Sequence, residues 1–256
     1  MRHLVSLFIV VIVFVVAMSW LSSAAALQQG TGLAESMSIA DLEKAGDMAR
    51  AERDYAQAAN YFEEAIRREP KNAKLYNKLG LAELAMGDYD AARGAFAKAT
   101  KYDRNYPEAW NDLGVVSFIQ KKYGTAVKYF QKAIALNETR ANFHVNLGLT
   151  YFTMDQTDRA MVQYTRALEL DPEALSRSSN SGLSAQLATR EEQAKLDFTM
   201  AKVYANMGDL ESCLRLLRKA KENGYSSMMA VYKDECFSEV RKDPRLAEIV
   251  PPPPPK

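Results

Sequence analysis

Side chains suited to chemistry are few in this 256-residue chain. Outside the first 26 residues there is one histidine, His144, which would need a neighbouring nucleophile or acid to act as a general base. Two cysteines, Cys213 and Cys236, stand near the C-terminal end and have the chemistry of thiolates or of a disulfide. Adjacent carboxylates occur at Glu63-Glu64 and Glu191-Glu192, the residue type of acid–base pairs. One histidine and two distant cysteines fall short of the roughly four ligands of a zinc site. The chain has no glycine-rich phosphate loop, no G-x-S-x-G and no H-E-x-x-H. In a chain that is 25% charged, the acidic pairs read as solvated helix faces. The sequence therefore assigns no catalytic residue, no metal and no cofactor, and the chain reads as a non-enzyme.

These residues are embedded in a periodic chain. Gly46, Gly80, Gly114 and Gly148 recur every 34 residues, and so do Ala58, Ala92, Ala126 and Ala160. Phe62, Phe96, Phe130 and Tyr164 keep the same step, as do Ala65, Ala99, Ala133 and Ala167. Four columns on one period mark an internal repeat. Within DLGVVSFIQKKYGTAVKYFQKAIAL (112–136), apolar residues fall at helical spacing on both sides of a turn, Lys121-Lys122-Tyr123. Equivalent turns stand at Arg53-Asp54-Tyr55, Gly87-Asp88-Tyr89 and Asp155-Gln156-Thr157. Helix-stopping residues close the units at Arg68-Glu69-Pro70, Asp103-Arg104, Asn137-Glu138 and Asp171-Pro172. Each unit reads as two amphipathic helices. Glycine inside the first of them costs about 1 kcal/mol relative to alanine, so it has a packing reason to be there.

The pattern Trp110, Leu113-Gly114, Ala126, Phe130 and Ala133 resembles the tetratricopeptide repeat, a helix–turn–helix unit of 34 residues. Four contiguous units match, at 39–72, 73–106, 107–140 and 141–174. The terminal proline is kept as Pro70 and Pro172 but is Arg104 and Glu138 in the middle units. The residue that opens the pattern is Leu42, Tyr76, Trp110 and then His144. Residues 194–224 resemble a fifth, decayed unit, with Ala201, Cys213 and Leu217 in the glycine, alanine and aromatic columns and Ala220 in the last.

The resemblance implies an all-α fold, a right-handed α-solenoid of helix–turn–helix repeats closed by a C-terminal helical cap at 225–250. It implies that the glycine column faces small residues of the paired helix, and it gives His144 a packing role. It makes Cys213 a buried thiol in the alanine column, the alternative to its pairing with Cys236. It also implies a protein or peptide partner, held in a concave groove lined by the first helices. That face reads Glu43, Asp47 and Arg50 in the first unit and Asn77, Leu81 and Leu84 in the second. It continues as Asn111, Val115 and Phe118, then Val145, Leu149 and Phe152, and last Phe198, Lys202 and Ala205. The nine residues from Asn77 to Phe152 are the candidate partner-binding positions, polar before them and apolar through the middle. The alternative is that they pack against neighbouring first helices or under the 173–193 segment. Chaperone-binding members clamp a terminal carboxylate with lysine and asparagine in the first unit; Glu43 and Asp47 stand there instead, against such a clamp.

A net charge of +1 without long runs of one sign argues against a nucleic-acid binder, which would need a basic face to neutralise phosphates, and leaves room only for local patches. At the N-terminus, Arg2 and His3 precede an apolar run, Leu4–Leu21, and Ala24-x-Ala26 fits a small-x-small cleavage site. Residues 1–26 read as a cleaved secretory signal or, alternatively, as an uncleaved anchor, since the run is at the short end of what spans a bilayer. Either places the repeats outside the cytoplasm, in the periplasm or secreted, or tethered to the inner membrane by residues 4–21. Membrane contact is expected only through that segment. Residues 27–38 read as a linker, 175–193 as a Ser-rich insertion, and 251–256 as a polyproline tail, extended and solvated or a ligand for a proline-binding module. The function expected is an adaptor or scaffold; the alternative is a structural subunit of an envelope assembly (secretion, pilus or outer-membrane machinery) held by edge contacts.

Overall fold

Helix starts and stops follow local side-chain chemistry. In the computed structural model, which describes residues 36–175 and 189–254, Ser38 caps α1 (Ile39–Ala51) by accepting from Asp41 N–H. Asp54 does the same for α2 (Tyr55–Arg68), and Asn72 for α3 (Ala73–Met86). Asp88 accepts from Ala91 N–H at the start of α4 (Tyr89–Tyr102), and Pro107 opens α5 (Pro107–Ile119), where its missing N–H is no loss. α6 (Tyr123–Leu136), α7 (Ala141–Thr153) and α8 (Thr157–Leu170) follow. Caps of this kind are worth about 1 kcal/mol each.

α9 (Arg190–Met207) begins inside the stretch read from sequence as the Ser-rich insertion. The reason is a capping box: Thr189 accepts from Glu192 N–H while the Glu192 carboxylate accepts from Thr189 N–H. α10 (Leu210–Glu222) is capped by Asp209. Beyond it the expected helical cap is mostly three 3₁₀ turns, Met228–Tyr232, Glu235–Phe237 and Val240–Lys242, ending in α11 (Arg245–Ile249). Gly224, in the left-handed region, ends the chain's run out of α10, and Pro244 stands at the N-cap of α11. Residues 1–35 and 176–188, which hold the export segment and most of the insertion, lie outside the described residues.

The turn inside each pair has one recurring conformation. Arg53, Gly87, Lys121, Asp155 and Gly208 all have positive φ, between 58° and 82°. This left-handed residue reverses the chain so that the second helix packs back on the first.

Helices pair as α1–α2, α3–α4, α5–α6, α7–α8 and α9–α10, and among the described residues there is no strand. The chain forms two compact bodies, one ending at Tyr102 and the other beginning at Asp103. In the first, α2 also packs on α3; in the second, α6 packs on α7 and α8 on α9. Ala58, Ala92, Ala126 and Ala160 are fully buried, as are Phe62, Phe96, Phe130 and Tyr164. The fold is all-α, as the repeat columns led one to expect.

One expectation is corrected. The glycine column does not face small residues. A β-carbon on Gly46, Gly80, Gly114 or Gly148 would strike the ring of Phe62, Phe96, Phe130 or Tyr164, sixteen positions on in the same pair. Glycine is there to seat the aromatic ring.

Candidate functional site

In the first body, the first-helix face is charged at α1 and mixed at α3. Lys78 of α3 lies with its Nζ 2.7 Å from Glu43 Oε1 and also pairs with Asp47, while Lys74 Nζ is 2.6 Å from the same Glu43 oxygen. Hydrogen bonds from Lys74 and Lys78 hold the Glu43 carboxyl below the usual carboxylate range, and Glu43 raises Lys74 in turn. Lys78 is mostly covered, with its ammonium 5.9 Å from the centre of the Phe62 ring. Arg50 approaches Asp47 at 3.8 Å. Beside this network on α3, Asn77 is buried, whereas Leu81 and Leu84 are half-buried. Glu43 and Asp47 belong to the face read from sequence; their lysine partners were missed. Lys74–Glu43 and Lys78–Asp47 are each separated by 31 residues and Lys78–Glu43 by 35, and these offsets around the 34-residue repeat are the signal that would have found them.

In the second body the face is built from α5, α7 and α9. Asn111 is buried and accepts 2.9 Å from Asn146 Nδ2, linking α5 to α7. Val115 is half-buried. Phe118 is buried against Tyr123, edge to face at 5.3 Å. Val145, Leu149 and Phe152 are also buried, and Lys195 Nζ lies 5.7 Å from the centre of the Phe152 ring. At α9, Phe198 stacks on Tyr225 at 4.5 Å and tilts against Phe237 at 5.4 Å, and Lys202 pairs with Asp234 at 2.8 Å. The chain's own 225–250 segment thus covers Phe198 and Lys202. Four of the nine candidate positions are apolar core residues, and the apolar positions that still reach solvent are Leu81, Leu84 and Val115.

The titratable groups are mostly structural. His144 is buried, its Nδ1 2.9 Å from Gln163 Oε1 and its Nε2 3.2 Å from the Glu138 carbonyl, so both nitrogens serve packing of α7 on its surroundings. Asp197 is 1% exposed yet accepts from Lys219, Asn223 and Gln193 at 3.0–3.3 Å, a satisfied buried carboxylate that ties α9 to α10. Glu83 of α3 is the exception: its Oε2 is buried without a hydrogen-bond partner. Burial pushes this carboxyl up to about 7, with Asp88 and Glu63 adding to the effect and Lys98 opposing it. Nothing in the helical pattern singles it out. Among the described residues no group of His, Cys, Asp and Glu is arranged to hold a metal ion.

The disulfide that the sequence allowed is not formed. Cys213 and Cys236 are free thiols. Cys213 is fully buried in the alanine column of α10, whereas Cys236 sits in a 3₁₀ turn beside Asp234.

An open hollow of about 570 Å³ lies along α8, lined by Met161, Val162 and Arg166 of that helix together with His144 of α7 and Asn206 of α9. Val162 is 63% exposed.

Two family models, each described as tetratricopeptide repeat, match the sequence, one over residues 43–85 and 77–141 and the other over 141–173. The chain belongs to the tetratricopeptide repeat family. No curated protein matches it. Among solved structures, a crystal structure of MamA protein superposes with a TM-score of 0.51 at 22% identity, covering 77% of this chain and 95% of that one. MamA 41-end from Desulfovibrio magneticus RS-1 gives 0.52 at 20% identity, over 72% and 94% of the two chains. TTC0263, a thermophilic TPR protein in Thermus thermophilus, gives 0.51 at 19% identity, over 83% and 99%. At these identities the likeness is one of fold. The family models end at residue 173, yet α9 and α10 keep the tetratricopeptide geometry: Gly208 takes the left-handed turn position and Cys213 the buried small column.

Proposed function

We propose that this tetratricopeptide protein is a non-enzymatic adaptor, working outside the cytoplasm, that holds a segment of a partner protein against the first-helix faces of its repeats. The observation that carries the reading is the α1–α3 face. A lysine–carboxylate network there lies beside Leu81 and Leu84, which are neither sealed in the core nor fully solvated. Such a face suits an amphipathic segment, with apolar side chains on the leucines and polar groups exchanging with the network. Asn111 and Val115 would serve likewise in the second body, with Phe118, Val145, Leu149 and Phe152 as the rigid wall behind them. The extracytoplasmic location rests on Arg2, Leu4–Leu21 and Ala24-x-Ala26. No described helix is long and apolar enough to cross a membrane.

A second reading, an assembly subunit held by edge contacts, is favoured by the α8 hollow with its exposed Val162. One experiment separates the two. A photo-crosslinking residue is placed at Leu84, Val115 or Val162 in the protein expressed in its own cells. The adaptor reading expects partner adducts from Leu84 and Val115, lost in a Leu81→Glu variant that melts as wild type does. Adducts from Val162 alone would replace it with the edge-contact reading. Intact mass of the exported protein should show a start near Leu27, and a membrane-bound form retaining Met1 would establish the anchor.

A further inference from the structure

The run Pro251–Pro255, followed by Lys256, is the part of the sequence that the repeats leave unused. Proline fixes φ near −65° and steers the preceding residue away from helical backbone. Consecutive prolines therefore settle into polyproline II, with three residues per turn and a rise of about 3.1 Å each. Pro251–Pro254 lie outside helix and turn and are exposed. Their root is held firmly. Ile249 and Val250 are each 3% exposed, Val250 is extended at φ −128° and ψ 101°, and Tyr232 Oη donates a 2.6 Å hydrogen bond to the Val250 carbonyl. The rod therefore leaves the second body from a fixed point. Its carbonyls find no donor within the run, because proline has no N–H. The three-residue turn puts Pro251 and Pro254 on one edge, with Lys256 two residues beyond.

We propose that Pro251–Lys256 is a docking ligand for a partner domain with an aromatic-lined groove. Proline rings would lie between the aromatic side chains, indole or phenol donors would reach the free carbonyls, and an acidic side chain would meet Lys256. The rod is stiff before binding and anchored at its base, so little ordering remains to oppose association. This site is separate from the first-helix faces, and the chain would then join two partners.

The test uses the full-length protein, titrated into three isolated probes with proline-reading aromatic grooves: an SH3, a WW and an EVH1 domain. Groove tryptophan fluorescence is the readout. A saturable change is expected with at least one probe, weakened at least tenfold by Pro251→Ala with Pro254→Ala and severalfold by Lys256→Glu. The double variant should melt as wild type does, since Pro251 and Pro254 are exposed. No saturable change with any probe, or the same change with the double variant, overturns the proposal and makes the run an inert spacer.

Discussion

A β-carbon built on Gly114 would lie 2.5 Å from Cε1 of Phe130, well inside van der Waals contact. The same clash is met between Gly46 and Phe62 at 2.5 Å, Gly80 and Phe96 at 2.6 Å, and Gly148 and Tyr164 at 2.7 Å. Each ring is fully buried. Glycine's helix penalty of about 1 kcal/mol is outweighed by the roughly 2–3 kcal/mol gained on burying a phenylalanine. The fifth pair supports the account by exception. There the glycine position is Ala201 and the ring position is Leu217, both fully buried, so a smaller partner admits the methyl group.

Gly114→Ala should therefore destabilise the second body by about 1–3 kcal/mol, although alanine is the better helix former. Phe130→Leu alone should cost about 1 kcal/mol through the void it leaves. Combined, the two should cost less than their sum by at least about 0.5 kcal/mol, because the smaller leucine side chain makes room for the methyl. Chemical denaturation of the four proteins gives the cycle. Strict additivity would show that the ring and the glycine are not coupled.

The turn column offers a second stability test. Lys121 has φ 59°, in the left-handed region where its β-carbon is crowded, while Gly87 holds the equivalent position at φ 82° without strain. Lys121→Gly should stabilise by about 0.5–1 kcal/mol, and Gly87→Ala should destabilise by about 1 kcal/mol. Asp155→Gly should gain less, because aspartate tolerates this conformation and here pairs with Lys195. Thermal melts would decide it: loss of stability in Lys121→Gly contradicts the turn assignment.

The repeat columns were legible because each pair solves the same packing problem and must keep its small and aromatic residues in step. What the aromatic ring packs against was not legible. Gly114 and Phe130 meet across two antiparallel helices, and periodicity within one helix carries no information about that neighbour. The same limit explains Lys74 and Lys78, whose acidic partners stand on a different helix. It also explains Phe118, Val145, Leu149 and Phe152: spacing placed them on one face, but adjacent elements decide whether a face is open. The 225–250 segment defied reading for another reason. Its turns are too short to show a period, and burial of Phe237, Val240 and Leu246 holds them in place.

The cysteines should behave as two unlike free thiols. Burial, with Asp209 adding to it, pushes Cys213 up to about 12, and burial raises Cys236 as well. Alkylation of unreduced, unfolded protein should label both. In the native protein Cys236 should react first, whereas Cys213 waits on opening of the α9–α10 pair and lags by on the order of a hundredfold or more. Reductant should leave the melting temperature unchanged. Unreduced protein that takes up no label in denaturant would restore the disulfide.

Glu83 gives the first body a pH dependence whose sign can be stated. Its carboxyl is pushed up to about 7 by burial, with Asp88 beyond α3 and Glu63 of α2 adding and Lys98 of α4 opposing, against a value of 4.5 when unburied. Below about 4.5 the group is protonated folded or unfolded. Between about 4.5 and 7 only the folded state keeps the proton, so this group's contribution to stability falls as pH rises through that window. Above 7 a charged carboxylate stays partly buried with Oε2 unpaired. Glu83→Gln carries no charge to bury and should be more stable than wild type at pH 8 by about 1 kcal/mol, discounted for the solvent the side chain still meets. The advantage should vanish near pH 4.5, where wild type is neutral too. Acidic groups that lose stabilising partners on protonation, such as Glu43 and Glu64, act on both proteins alike, so the difference between their melting curves isolates position 83. A difference that stays constant from about pH 4.5 to 8 would mean that Glu83 titrates as an ordinary surface carboxylate.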